Sequence, residues 1–190
     1  IKPFLLDYKL GMKLTDKSNT MKLSIRLATN ADCELINKLA STAFPATYGS
    51  ILSAQQLAYM MEWMYAVPAI RKQMAEEGHT YLLAFMGEKP VGYASVQPQS
   101  EDVCTLQKIY LLPEAQGSHR GQQLFEAALA LVRTAYPTAK RVELHVNRHN
   151  PALGFYEHLG MKIVAEGDFD IGNGYQMNVF VKPNEQYKLT

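Results

Sequence analysis

The sequence predicts a mixed α/β domain in which helices pack on a partly parallel sheet. Candidate strands and helices alternate along most of the 190 residues, and residues 103–170 follow the order strand, helix, strand, helix, strand. Parallel neighbouring strands need long crossover connections, which helices supply. A chain of this length can bury one sizeable core, so we expect a single domain.

The domain opens with a strand and a helix. Alternating apolar residues predict the strand at residues 23–27. Residues 30–44 predict the helix, because apolar side chains recur there at helical spacing and Asn30 or Asp32 can cap its first turn. We expect the apolar face of this helix to pack against the sheet.

Two short helices and three strands come next. Residues 53–78 predict the helices, with Pro68 breaking them apart and Gly78 ending the second. The turn-forming stretch GEKP separates the first two strands. The three strand segments are residues 80–86, 90–97 and 103–112.

The last third alternates helices and strands. Apolar residues at helical spacing predict a helix at residues 124–136, and Gly160 ends a second helix that begins near Asn150 and Pro151. Three strands complete the pattern, at residues 140–147, 161–171 and 174–182.

The first 20 residues show no sustained hydrophobic period. We expect residues 1–20 to be an N-terminal extension or an engineering remnant, and the domain to occupy residues 21–190.

Composition excludes several classes of partner. The formal net charge of +1 gives no long-range field for binding nucleic acid or an anionic membrane. No apolar stretch approaches the roughly 18 residues that a membrane span requires. The two cysteines, Cys33 and Cys104, form no metal or redox motif, so we expect reduced, buried thiols in a cytoplasmic protein.

The segment EAQGSHRGQQL, residues 114–124, lies between a predicted strand and a predicted helix. A glycine-containing turn at a helix start presents free backbone N–H groups and the positive end of the helix dipole, which together suit a phosphate. An ordinary loop whose glycines only permit unusual backbone angles is the alternative.

A second segment, VNRHNPALGFYEHLGM at residues 146–161, follows that loop at a fixed distance. Together the two segments resemble the GNAT superfamily of N-acetyltransferases, whose phosphate loop Q/R-x-x-G-x-G/A is followed by an asparagine and an aromatic-tyrosine pair. The resemblance implies a twisted mixed sheet of about seven strands, splayed between the fourth and fifth, with four or five flanking helices. It also implies acetyl-CoA as co-substrate and no metal.

The resemblance implies that residues at matching positions of this sequence have the roles of the family's residues. Backbone atoms of the fourth strand would contact the acetyl group and pantetheine, and main-chain N–H groups of the loop would wrap the pyrophosphate. The implied acetyl-CoA contacts are Ile109, Tyr110, Leu111, Gln116, Gly117, Ser118, His119, Arg120 and Gly121, with Asn150 or, in its place, Asn147.

Three positions depart from the family pattern. His119 replaces the first motif glycine, so its imidazole is either exposed or close to the phosphates. The spacing from Asn150 to Phe155 is one residue shorter than the commonest form. Thr105 stands where many members carry a catalytic glutamate.

Two proton transfers need catalytic groups. Tyr156 matches the tyrosine that protonates the departing CoA thiolate in many members, and a core tyrosine is the alternative. The attacking amine must also lose a proton. Glu143, His145 and Asn147 alternate onto one face of a strand expected to be buried, where they would supply a base, bond to one another or form a homodimer contact.

The acceptor is expected to be a small primary amine. FPATYGS followed by YMMEWMY resembles the bacterial PaiA-type polyamine acetyltransferases, which implies a polyamine. The position of both cysteines outside the motifs argues for direct transfer without an acyl-enzyme. A protein or peptide acetyltransferase and a non-catalytic acyl-CoA sensor remain the alternatives.

Overall fold

The computed structural model describes residues 22–170 and 176–181, and its elements alternate as predicted. The strands are β1 Ser24–Leu27, β2 Thr80–Met86, β3 Lys89–Pro98, β4 Val103–Leu111, β5 Arg141–Glu143, β6 His145–Asn147, β7 Ala165–Asp170 and β8 Gln176–Val181. The helices are α1 Cys33–Tyr48, α2 Ala54–Tyr65, α3 Val67–Ala75, α4 Arg120–Ala135 and α5 Leu153–His158. The expected extension at residues 1–20 lies outside the described residues.

The strands form two sheets. Five strands pair in the order β1-β2-β3-β4-β5, antiparallel throughout except for the parallel pair of β4 and β5. Three more pair antiparallel in the order β6-β8-β7. The expectation of a mixed α/β fold is confirmed, and the strand predicted at residues 140–147 is interrupted at Leu144, which divides it into β5 and β6.

The two sheets diverge beside β4. Val103, Cys104 and Thr105 pair with β5, and among the described residues the rest of β4 has no partner on that side. β6 instead pairs with β8. A wedge therefore opens between the second half of β4 and β6, as the resemblance implied.

A β-bulge in β4 lies at the mouth of this wedge. Val96 faces Leu106 and Ser95 faces Lys108, so Gln107 is the extra residue. Beyond the bulge, Tyr110 packs with the core on the α1 side of the sheet and Leu111 with the opposite core. The bulge thus sets which side chains face each layer of helices.

Helices cover both faces of the five-stranded sheet. On one face, Leu124, Phe125 and Val132 of the amphipathic α4 belong to a buried cluster with strand residues. On the other, Ile36 and Phe44 of α1 pack with the inward side chains of β2 and β3. The two cores are separated by the sheet, as a layered α/β architecture requires.

Helix α1 ends at Tyr48, one turn beyond the expected end at Phe44. Pro45 lies inside the helix and lacks the N–H of a normal turn, but Gly49 N–H donates to the Pro45 carbonyl at 2.8 Å and closes the last turn. Burial of Phe44 and Tyr48 stabilises this extension.

Other helix boundaries also differ from the prediction. α2 and α3 separate at Ala66, and Pro68 lies in the first turn of α3, where its missing N–H costs no bond. α5 begins at Leu153, because the Asn150 side chain accepts from Ala152 N–H and holds the preceding residues in a turn. None of the helices in the described part of the chain has the length and apolarity needed to span a bilayer.

Candidate active site

A cleft of about 740 Å³ occupies the wedge between β4 and β6. Its walls come from the end of α1, the second half of β4, the start of α4 and the segment that contains α5. Residues predicted for acetyl-CoA binding or catalysis that line it are Ile109, Tyr110, Leu111, Gln116, Gly117, His119, Arg120, Gly121, His145, Asn150 and Tyr156. The fold thus gathers most of the predicted site around one cavity.

The loop before α4 has an unusual backbone. Gly117, Ser118 and His119 adopt φ angles of +84°, +49° and +58°. The left-handed region suits glycine but is strained for other residues, so Ser118 and His119 are held there against their preference. His119 is exposed on the cleft wall and precedes α4, which begins four residues earlier than predicted.

This backbone leaves donors free at the helix start. Within the described chain, no backbone carbonyl accepts from the N–H groups of Ser118, His119, Gly121 or Gln122. The N-terminus of a 16-residue helix adds partial positive charge at the same place. The loop can therefore bind an anion through its main chain.

Gly121 lies against the ring of Phe155. A Cβ at this position would come within 3.3 Å of two ring atoms, tighter than an ordinary contact. Phe155 also packs edge-on against Phe125, with ring centroids 6.5 Å apart. Glycine therefore permits close approach of α4 to α5 at the floor of the cleft.

Arg120 adds a fixed positive charge beside the loop. Its Nε is buried and has no hydrogen-bond partner in the described structure, while Nη1 donates weakly to the Ala115 carbonyl at 3.4 Å. Such an unsatisfied donor is uncommon in folded proteins. The guanidinium is thus available to an anionic ligand in the cleft.

Two buried tyrosines and an asparagine lie at the α1 end of the cleft. Asn150 Nδ2 donates to the Tyr48 hydroxyl at 3.0 Å. Burial raises the pKa of Tyr156, and the nearby Tyr48 raises it further, so the Tyr156 hydroxyl stays protonated at neutral pH. A protonated hydroxyl in this position can donate a proton or a hydrogen bond.

The remaining predicted site residues lie outside the cleft wall. Glu143 accepts from Arg141 Nε at 2.7 Å in an ion pair near the surface. Asn147 is buried, and its Oδ1 accepts from His149 N–H at 2.8 Å. Ser118 is exposed on the loop.

The expected burial of the polar face of the strand is confirmed for Asn147 and wrong for Glu143 and His145. His145 is exposed on that face and Glu143 only half-buried, whereas Val142, Leu144 and Val146 point into the core. The strand is apolar on one side and partly open to solvent at Glu143 and His145 on the other, whereas the buried Asn147 is satisfied by the bond from His149 N–H.

Both cysteines are buried, as predicted, and neither belongs to the cleft wall. Burial raises the pKa of the Cys33 thiol and raises that of Cys104 to about 11. Thiols in this state are poor nucleophiles at neutral pH.

Sequence reasoning missed other residues of the cleft wall, among them Thr47, Tyr48 and Lys108. Tyr48 follows Phe44 by one helical turn, a signal that Pro45 obscured. Lys108 precedes Tyr110 by two residues in a strand, and this spacing places both side chains on one face.

The family model of the acetyltransferase (GNAT) family matches residues 36–161. No curated protein matches the chain.

Solved structures share the fold. PaiA N-acetyltransferase from Thermoplasma acidophilum, in complex with coenzyme A, is 20% identical to this chain, with a TM-score of 0.71. The match covers 86% of this chain and 98% of the PaiA chain. Spermidine/spermine N-acetyltransferase SpeG from Vibrio cholerae is 18% identical over 86% and 92%, with a TM-score of 0.59. The ribosomal-protein-S18-alanine N-acetyltransferase from Escherichia coli is 14% identical over 85% and 92%, with a TM-score of 0.63.

Proposed function

This chain belongs to the GNAT family of acetyltransferases and is an acetyl-CoA-dependent N-acyltransferase, and we propose that it transfers the acetyl group directly to the primary amine of a small molecule. One observation carries the proposal: a single cleft has free main-chain donors at one end and the protonated Tyr156 hydroxyl on its wall.

The described residues fit acetyl-CoA. The loop N–H groups and the Arg120 Nε, which have no partner among the described residues, suit a pyrophosphate. The unpaired side of β4 at Ile109–Leu111 offers backbone groups to an extended, amide-containing arm. When bound, acetyl-CoA supplies an activated acetyl carbonyl.

We assign Tyr156 the role of general acid. Its hydroxyl would protonate the sulfur of the departing thiolate as the amine nitrogen bonds to the acetyl carbon. The raised pKa keeps this proton on Tyr156 until it is needed.

Asn150, rather than Asn147, is the asparagine available to the pantetheine arm. Asn150 lies on the cleft wall, whereas Asn147 is buried away from it. The Tyr48 hydroxyl fixes the amide of Asn150, so its orientation is set before any ligand binds.

For the amine proton, His145 is the better of the two proposed bases. His145 lines the cleft, while Glu143 lies outside the cleft wall and is paired with Arg141. An imidazole nitrogen there would take the amine proton, directly or through water.

Direct transfer is supported by the positions of the cysteines. Both thiols are buried and outside the cleft wall, so neither is placed to form a thioester with the acetyl group.

The polyamine class rests on resemblance and on two structural neighbours, whose names identify a PaiA acetyltransferase and a spermidine/spermine acetyltransferase. A protein or peptide acceptor is the competing candidate, supported by the neighbour that acts on a ribosomal protein. The cytoplasmic location and the homodimer remain predictions.

A thiol-release assay tests the proposal. Purified protein is incubated with acetyl-CoA and a panel of polyamines, amino acids, aminoglycosides and peptides, and free CoA is measured over time. Release with a small amine, absent for peptides, is the expected result. Tight binding of acetyl-CoA with no release for any acceptor would instead identify an acyl-CoA sensor.

A further inference from the structure

A second cavity of about 240 Å³ lies beside the β4 bulge, next to the cleft. Gln107 and Lys108 belong to the walls of both cavities. The other wall residues come from α2, α3 and the loop between α3 and β2, and they include Trp63, Met64, Lys72, Gln73, Glu77 and His79. The two cavities therefore adjoin at Lys108.

Lys108 is buried, with 7% of its surface exposed. Its ammonium donates to Gln73 Oε1 at 3.0 Å and lies 5.5 and 5.8 Å from the ring centroids of Tyr81 and Tyr65. An ammonium has three hydrogen-bond donors, and Gln73 is its one hydrogen-bond acceptor within the described chain. Apart from its contacts with the two rings, the ammonium therefore has donors without a hydrogen-bond acceptor among the described residues.

No carboxylate contacts this ammonium among the described residues. Glu77 is the one acidic side chain on the second cavity's wall, and it is 40% exposed and paired with Lys72 at 3.2 Å. The cleft wall contains no Asp or Glu in the described part of the chain. Burial lowers the pKa of Lys108 to about 8, although the negative charge of Glu77 acts to raise it, so at pH 7 Lys108 stays mainly charged.

His79 does not neutralise Lys108 either. Its Nδ1 is 2.9 Å from Ser95 Oγ, and burial followed by the charge of Lys108 lowers its pKa to about 3. The ring is therefore neutral at physiological pH. A buried charge that no carboxylate contacts among the described residues is costly to fold, and a ligand of opposite charge would relieve that cost.

We propose that the acceptor carries a carboxylate as well as its primary amine, and that Lys108 binds this carboxylate while the amine lies in the cleft. The proposal rests on the proposed function and narrows its acceptor to small amino acids. A polyamine would instead bring a second ammonium close to Lys108, with like-charge repulsion.

Matched acceptor pairs test the proposal. Ornithine and putrescine differ by one carboxylate, as do lysine and cadaverine, and kcat/KM is measured for each by thiol release. We expect the amino acid of each pair to be preferred. Lys108→Met should lower kcat/KM for the amino acid about 10- to 100-fold, because a charge-assisted contact is lost. The kcat/KM for the diamine should stay unchanged or rise.

Lys89→Met is the matched control. Lys89 is an exposed strand lysine paired with Glu114, away from both cavities, and its loss should not alter the acceptor preference. Thermal unfolding and acetyl-CoA binding establish that each variant is folded.

The carboxylate site would be overturned if diamines are preferred and Lys108→Met does not alter that preference. The acetyltransferase function would still stand. If no amine releases thiol, the proposed function fails, and titration of ornithine into the CoA-bound protein decides the carboxylate site alone. Calorimetric binding that Lys108→Met abolishes would support the site, and absent or unaltered binding would overturn it.

Discussion

The Tyr48 hydroxyl accepts a hydrogen bond of 3.0 Å from the side-chain amide of Asn150, across 102 positions of sequence. Tyr48 is the last residue of α1, and Asn150 holds the turn before α5 through its bond from Ala152 N–H. One contact therefore ties the helix layer on one face of the sheet to the segment that carries Tyr156.

Tyr48→Phe should lower the free energy of unfolding by about 1–2 kcal/mol, because the buried Asn150 amide then loses its acceptor. Urea denaturation measures this change. A double-mutant cycle with Asn150→Ala should give a coupling energy of about 1 kcal/mol. Additive effects of the two substitutions would show that the contact contributes nothing.

Tyr156→Phe should lower kcat about 100-fold and leave the Kd for acetyl-CoA nearly unchanged, since the substitution removes a proton donor and keeps the ring. Steady-state thiol release gives kcat, and calorimetry gives Kd. An unchanged kcat would remove Tyr156 from the reaction.

Gly121→Glu should abolish acetyl-CoA binding, because its Cβ meets the Phe155 ring at 3.3 Å and its carboxylate repels phosphate at the start of α4. Gly154→Ala is the matched control, since no atom lies within 4 Å of a Cβ there. Retained tight binding by Gly121→Glu would place the pyrophosphate elsewhere.

His119→Gly should raise the free energy of unfolding by about 0.5–1 kcal/mol, because glycine adopts a φ of +58° without the steric cost that histidine carries. Chemical denaturation measures the gain. His149→Gly is the control, since that exposed histidine has no positive φ and its replacement should destabilise. A loss of stability in both variants would contradict the strained loop.

Asp32→Asn should destabilise the protein by about 1 kcal/mol at pH 7, and the difference should vanish as pH falls from about 4 to about 2. Hydrogen bonds from Arg26 lower the pKa of Asp32 to about 2, below its unfolded value. The stabilisation is therefore present above pH 4 and lost on protonation. The free energy of unfolding of both proteins is measured across this pH range. A difference between them that does not change with pH would contradict the prediction.

The loop at Gln116–Gly121 and the tyrosine at position 156 were predictable because both depend on local spacing. Turn-forming residues before a helix and an aromatic pair after an asparagine are patterns within one short segment. Their common cleft followed from the family resemblance.

Tyr48 and Lys108 were not predictable as site residues. The predicted helix ended at Phe44, and only packing of Phe44 and Tyr48 against the sheet reveals the extra turn. The bulge at Gln107 shifts the alternation of β4, and a shift of one residue moves later side chains to the other face.

The sequence by itself determined the element order, the layered α/β class and the family, because hydrophobic period, turn residues and motif spacing are local properties of the chain. Tertiary structure alone decided that Tyr48 bonds Asn150 and that Lys108 is buried without a contacting carboxylate among the described residues. These relationships join residues that lie far apart in the chain, and only packing and burial bring such residues together.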